Sequence, residues 1–403
     1  MQNPATIQKT ITIALLAEIL CITYGLYLPA LSAVLSILYV IAGICIVCCF
    51  LYKKEVQSEA PNQKSRLFLL LPMALVMLFF GKKWMEAEPL SYLSADMLPV
   101  IQTMCERWLA GHWLQVYDPI PEIWHGMAPV YLPAMWLPYS IPVVTGIDVR
   151  WLTIFSLFLV YWFLVRRMYF NRQTWAVMAG AVLLLCWLLT SNDAGLIPFS
   201  EEGLVILYYV LLVLALQKKN PWLIGITASL CLLSRYALIG WLPAMLLYYV
   251  WKKEWKTLVK ISLTGTACCL LLILPFGWNK FQSLLALPAT YIDFAKRVWN
   301  DSPEVFTGSV GLARFFGPAN IALQHWLLVG LSLTVPSIGM LLLLRFGKVW
   351  KMREENFPLA VLKLSLLIFY SMVDVPYDYL FFTASFVSLL MVQDFRRPVP
   401  RGS

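Results

Sequence analysis

The chain has 403 residues, 60% of them hydrophobic and 13% charged, with a mean hydropathy of +0.73. That balance excludes a soluble globular or disordered protein and points to a polytopic membrane protein. A net charge of +9 would suggest nucleic acid in a soluble chain. Here the basic residues fall in short clusters between apolar runs, where they report orientation, and no nucleic-acid partner is expected.

The apolar runs are continuous rather than alternating, so the expected fold is all-α, because helices satisfy their own backbone groups in hydrocarbon. The first run, Ile11 to Leu28, has neither a strongly basic leader nor a small-residue cleavage site and reads as a retained first span. Further spans are expected at 33–52, 66–81, 150–168, 174–190, 203–217, 221–234, 236–251, 257–276, 323–345, 357–373 and 379–393, about twelve in all. This arrangement places six basic clusters on one side, among them Lys53 and Lys54, Lys218 and Lys219, Lys252 and Lys253, and Arg396 and Arg397. The positive-inside rule makes that side cytoplasmic, with both termini inside. Residues 1–398 form a single transmembrane domain on this reading, and Val399 to Ser403 (VPRGS) resembles a protease-site linker added for expression.

Residues Ala128 to Gly146 must then not cross, and Pro129, Pro133, Pro138 and Pro142 disfavour a simple spanning helix there. The outer face receives a first loop of about 82–149, the turn from Ser191 to Glu202, a late loop of about 277–322 and the turn from Asp374 to Asp378. Within the first loop, Tyr92 to Ala110 is expected to form an amphipathic helix lying along the membrane. Most of the acidic residues fall on this face, which by itself says only that carboxylates avoid hydrocarbon.

Several chemistries have no signature. There is no Walker or dinucleotide glycine motif, no GxSxG and no HExxH. Eight of nine cysteines lie in expected spans and only Cys105 is in an outer loop, so no external disulfide pair is expected. His112 and His125, with Glu86, Glu88 or Asp118, could supply ligands to a divalent metal, but their spacing is not that of a tight site, and no metal ligand is assigned. Tyrosine and tryptophan, 19 and 17, suit interfacial belts and sugar-stacking surfaces alike.

What remains is the first outer loop. Asp96 stands near the start of its helix, where capping alone would favour a carboxylate. Arg107, Trp108, Gly111, His112 and Tyr117 follow, then Tyr131-Leu132-Pro133. This order resembles the GT-C superfamily of integral-membrane glycosyltransferases that use polyprenyl-phosphate sugars, with Leu132 replacing the first proline of a Tyr-Pro-Pro-like segment. The resemblance continues through Phe199-Ser-Glu-Glu-Gly203 to Leu233-Ser234-Arg235-Tyr236 and Pro243, over roughly residues 80–250. It implies a GT-C-like fold, no certain cofactor, and as partners a polyprenyl-phosphate-linked sugar, a glycan or lipid acceptor and membrane lipids.

Transfer from a lipid phosphate to a hydroxyl needs a general base, for which Asp96 is the candidate. It also needs positive charge on the phosphate, for which Arg235 and Arg107 are candidates, although Arg235 could simply snorkel between two short spans. Glu201, Glu202, Tyr117, Tyr131 and His112 are placed to position the acceptor or substrate, while Glu201 and Glu202 also suit a helix N-terminus. The expectation is a hexosyl- or pentosyltransferase, mannosyltransferase-like and inverting, at the outer face of a bacterial inner (cytoplasmic) membrane. The alternative is a transporter or flippase of a lipid-linked intermediate, which charges in mid-span, mainly Glu18 and Lys363, would favour.

Overall fold

The computed structural model describes residues 4–25, 28–52, 64–91, 97–122, 126, 128–166, 179–182, 200–277 and 291–394. All regular structure among the described residues is helical. The main helices are α1 (Pro4–Gly25), α2 (Ser32–Leu51), α3 (Lys64–Ala87), α4 (Met97–Leu109), α5 (Pro133–Trp136), α6 (Ser140–Thr145), α7 (Arg150–Arg166), α8 (Glu202–Gln217), α9 (Pro221–Leu232), α10 (Trp241–Trp251), α11 (Trp255–Ile273), α12 (described over 291–301), α13 (Glu304–Gly308), α14 (Ile321–Phe346), α15 (Phe357–Met372) and α16 (Phe382–Asp394).

Among the described residues, five stretches are long and apolar enough to cross a membrane: Thr6–Tyr24, Ser32–Leu51, Trp255–Phe276, Pro318–Phe346 and Glu354–Met372. The chain is therefore a helical protein built to sit in a membrane. Other expected spans coincide with shorter apolar helices: Glu202–Gln217, Pro221–Leu232, Tyr236–Trp251 and Asp378–Gln393. At 1.5 Å per residue the 12 residues of α9 extend only about 18 Å, against a hydrocarbon core of about 30 Å. The expected span at 174–190 lies outside the described residues except for the helical residues 179–182.

Local sequence sets several boundaries. Asn220 caps α9, its Oδ1 accepting from the backbone N–H of Trp222 and Leu223 at 3.1 and 3.3 Å, with Pro221 in the first helical position. Gly111 ends α4 at φ 78°, and the N–H groups of Gly111 and His112 return to the carbonyls of Trp108 and Arg107, a Schellman closure. Small residues let helices meet backbone to backbone. A Cβ on Gly225 would lie 2.6 Å from the Ile261 carbonyl oxygen, and Ser229 on the same helix donates to the Gly265 carbonyl at 2.9 Å, joining α9 to α11.

The centre of the bundle is α8, buried along nearly its whole length and packed on α7, α9 and α16. Helices α1, α2, α15 and α16 form the adjoining group. Inside it Lys363 Nζ donates to Glu18 Oε1 at 2.6 Å and to the Ala384 carbonyl at 3.0 Å, while Ser385 and Ser388 each donate to the Glu18 carboxylate at 2.9 Å. Both ions are fully buried. This pair joins α1, α15 and α16 with its polar atoms well satisfied, as a charge in an apolar bundle requires.

The proline-rich stretch is broken into α5, a single turn and α6, and the chain then bends by 117° into α7. It does not run on as one straight span with α7. The helix expected over 92–110 is described from Met97 to Leu109; it buries Leu98, Ile101, Met104 and Cys105 on one face, while Glu106 is exposed. Its amphipathic character thus matches the pattern in the sequence. In the segment expected to form the late outer loop, α12 and α13 close a small core of Ala295, Val298, Phe306, Ala313, Ile321 and Val375. That cap is tied to α2 by Ser32, which donates to the Thr307 carbonyl at 2.7 Å, and by Ser36, which accepts from Gly311 N–H at 3.0 Å.

Candidate functional site

Residue Ser200 opens α8 by accepting from the Glu202 N–H at 2.9 Å, while its carbonyl accepts from Thr153 on α7 at 3.2 Å. A Cβ on Gly203 would lie 2.8 Å from the Thr153 carbonyl oxygen, so glycine brings α7 and α8 close at this point. The result is that Glu201 and Glu202 enter the protein rather than solvent: they are 1% and 0% exposed.

Both meet Arg235, which follows α9 in extended backbone. Its Nη2 lies 2.8 Å from Glu201 Oε1 and 2.7 Å from Glu202 Oε2. Thr383, in the first turn of α16, donates to Glu202 Oε1 at 2.5 Å. Burial opposes charge on the guanidinium, but Glu202 and Glu201 outweigh it and hold Arg235 protonated, with its pKa above the usual arginine value. Burial raises the Glu202 carboxyl to about 7, against the lowering effect of Arg235 and of the Thr383 hydrogen bond, and so favours a proton there. Arg235 keeps 18% of its side chain exposed, and its Nε is buried without a hydrogen-bond partner among the described residues. The guanidinium is therefore a counterion with donor capacity left over, rather than an isolated cation.

The segment expected to form the first outer loop reaches this cluster at two places. Ala134, directly after Tyr131-Leu132-Pro133, donates its N–H to the Leu233 carbonyl at 3.1 Å and accepts at its carbonyl from Tyr208 of α8 at 2.9 Å. At the start of α4, Met97 Sδ accepts from the Tyr379 hydroxyl at 2.8 Å. Tyr379 in turn lies within electrostatic reach of Glu201 and Arg235 and stacks on Tyr377 at 5.6 Å. Asp96, the residue before Met97, lies outside the described residues, as does His125.

The remaining candidates are placed differently. Arg107 donates to the carbonyls of Gln115, Asp118 and Pro119 at 3.3, 2.6 and 3.2 Å, which ties the loop after α4 to that helix. His112 is exposed beyond the α4 C-terminus. Tyr117 is buried in an aromatic group with Trp108, Trp136 and Phe276, and its oxygen accepts from Trp136 Nε1 at 3.1 Å. Tyr131 is half-buried against the same core. Structure thus brings Glu201, Glu202 and Arg235 together and sets the Tyr131 segment beside them, while Arg107 serves its own loop. Arg150, the first residue of α7, is also a local anchor: it grips Asp148 through Nε and Nη2 and donates to the Glu88 carbonyl at 2.6 Å.

Two contributors were not singled out in the sequence. Thr383 comes from the first turn of α16 and Tyr379 from the turn between α15 and α16, where no spacing links them to Arg235. Asp378 in the same turn accepts from the Val310 N–H, and burial, against that bond, pushes its carboxyl up to about 7. An acid between two tyrosines in a mostly apolar turn was the available signal. No group of three or more His, Cys, Asp or Glu arranged for a metal occurs among the described residues. Comparison with models of known protein families, with curated proteins and with solved structures gives no match to this chain.

Proposed function

We propose that the protein is a membrane glycosyltransferase of GT-C type, moving one sugar from a polyprenyl-phosphate carrier to an acceptor hydroxyl at the outer face of a bacterial cytoplasmic membrane. About twelve spans and a GT-C arrangement belong to this proposal. The observation that carries it is the convergence of four separate segments on one buried acid–guanidinium cluster. These are the first outer loop through Met97 and Ala134, the turn at Glu201 and Glu202, the α9–α10 break at Arg235, and the α15–α16 turn with Tyr379 and Thr383. Packing alone seldom buries two acids and an arginine at helix ends, given the desolvation each ion pays.

In this reading the acceptor oxygen attacks the anomeric carbon, the bond from that carbon to the phosphate oxygen breaks, and the polyprenyl phosphate departs with the electron pair. Asp96 takes the acceptor proton. The leaving phosphate needs no protonating acid, so a single base suffices. Arg235 offers the exposed part of its guanidinium to the phosphate, and a proton on Glu202 lessens the repulsion of that approach. Tyr377 and Tyr379 supply a stacking wall for a sugar.

A transporter is the second reading, favoured by the buried Glu18–Lys363 pair. The serines and the carbonyl that satisfy this pair equally suit a fixed structural clamp. One experiment separates the two. Protein in proteoliposomes is given radiolabelled polyprenyl-phosphate sugar and a panel of glycan and lipid acceptors, and the label is followed. A transferase releases sugar from lipid to acceptor; a transporter moves intact donor between leaflets and never releases it.

A further inference from the structure

At the opposite end of the bundle from the Glu201–Arg235 cluster, α10 and α14 end side by side, and the turns that follow them flank an open pocket of about 420 Å³. It is lined by Trp251, Lys252, Lys253, Leu344, Lys348 and Glu354. Three ammonium groups face one carboxylate, so the pocket carries a net positive charge. Glu354 draws two of them together: one of its oxygens binds Lys252 and the other lies 3.8 Å from Lys348 Nζ. Lys253 reaches the lining from a left-handed backbone, φ 58°, unusual for a side chain of its kind.

Lysines past helix C-termini also complement the helix dipole and obey the positive-inside rule. Neither effect needs them to line one pocket around a shared carboxylate. Around it stand exposed Trp251, Trp255, Val349 and Trp350, apolar and indole side chains of the type found at headgroup level. An anion that binds among these lysines while its tails lie along the exposed faces of α10 and α14 fits both the charge and the apolar rim. We propose that this pocket binds the phosphate of an anionic phospholipid from the leaflet it faces, independently of the transfer site.

The test uses the full-length protein in detergent, with phosphatidylglycerol or phosphatidylcholine added in mixed micelles and retained lipid counted by native mass spectrometry. Phosphatidylglycerol should be retained in preference to phosphatidylcholine. The double variant Lys253→Gln/Lys348→Gln should weaken that retention by about tenfold while leaving the thermal transition in place. Should the double variant fail to fold, Lys348→Gln alone, whose side chain is 85% exposed, gives the same comparison with a smaller loss. Equal retention of the two lipids, or of phosphatidylglycerol by wild type and variant, overturns the proposal. Displacement of the lipid by inorganic phosphate at about millimolar concentration also overturns it, assigning the pocket to a free anion instead.

Discussion

Replacing Arg235 by methionine removes the cation that pairs with both Glu201 and Glu202 while keeping a long apolar stem in its place. The two acids, 1% and 0% exposed, then lose the guanidinium that pairs with both. Removing one partner of a buried ion pair costs about 3–5 kcal/mol, and the partial exposure of Arg235 places the expected loss near the lower end, about 3 kcal/mol. The deficit should depend on pH. Without the guanidinium, the folded acids bind protons more tightly than the unfolded chain does, so folded protein carries more protons and the variant gains stability as pH falls from neutral. Glu201→Gln/Glu202→Gln in the same background removes the stranded charge and should recover all but about 1 kcal/mol. Denaturant unfolding in mixed micelles, followed by tryptophan fluorescence at several pH values, reads each quantity. An Arg235→Met loss that is additive with the glutamine changes, or that does not shrink in acid, refutes a coupled acid–guanidinium cluster.

Three further outcomes are expected. Lys363→Met and Glu18→Gln should each destabilise by about 3–5 kcal/mol because the partner is stranded in the bundle, whereas the double variant should recover most of the loss in the same unfolding assay. In an otherwise cysteine-free background, His112→Cys should react with an impermeant thiol reagent from outside intact cells and Lys219→Cys should not; the reverse pattern overturns the assignment of sides. If the Asp378 carboxyl must be ionised for turnover, the rate should rise as pH increases through about 7, and Asp378→Asn should flatten that limb of the profile.

The helices were legible in the sequence because long apolar runs and terminal residues such as Asn220, Pro221 and Gly111 act locally. The break at Pro133 to Pro142 was legible for the same reason. Glu201, Glu202 and Arg235 were each marked out by being charged at the edge of an apolar run, but their convergence depends on how α7, α8 and α9 pack, which no local pattern specifies. Lys363 and Glu18, 345 residues apart, were visible as charges and invisible as partners. Arg107 misleads for a related reason. A conspicuous arginine suggests a ligand, yet three carbonyls left over by the loop after α4 occupy it, and such backbone acceptors carry no signature in side-chain sequence. Thr383 and Tyr379 are ordinary residues whose place beside the cluster comes only from the turn that carries them.

The central claim is that this cluster serves sugar transfer, with Asp96 as the base. Asp96→Asn keeps the size of the side chain and loses its capacity to take a proton. The decisive measurement is release of radiolabelled sugar from polyprenyl phosphate to acceptor by purified wild type and Asp96→Asn, with donor binding measured in parallel. The account predicts transfer by the wild type, a loss of about 10²–10⁴-fold in the variant, and donor binding retained by both. Donor carried intact across the bilayer by the wild type with no sugar released would contradict it.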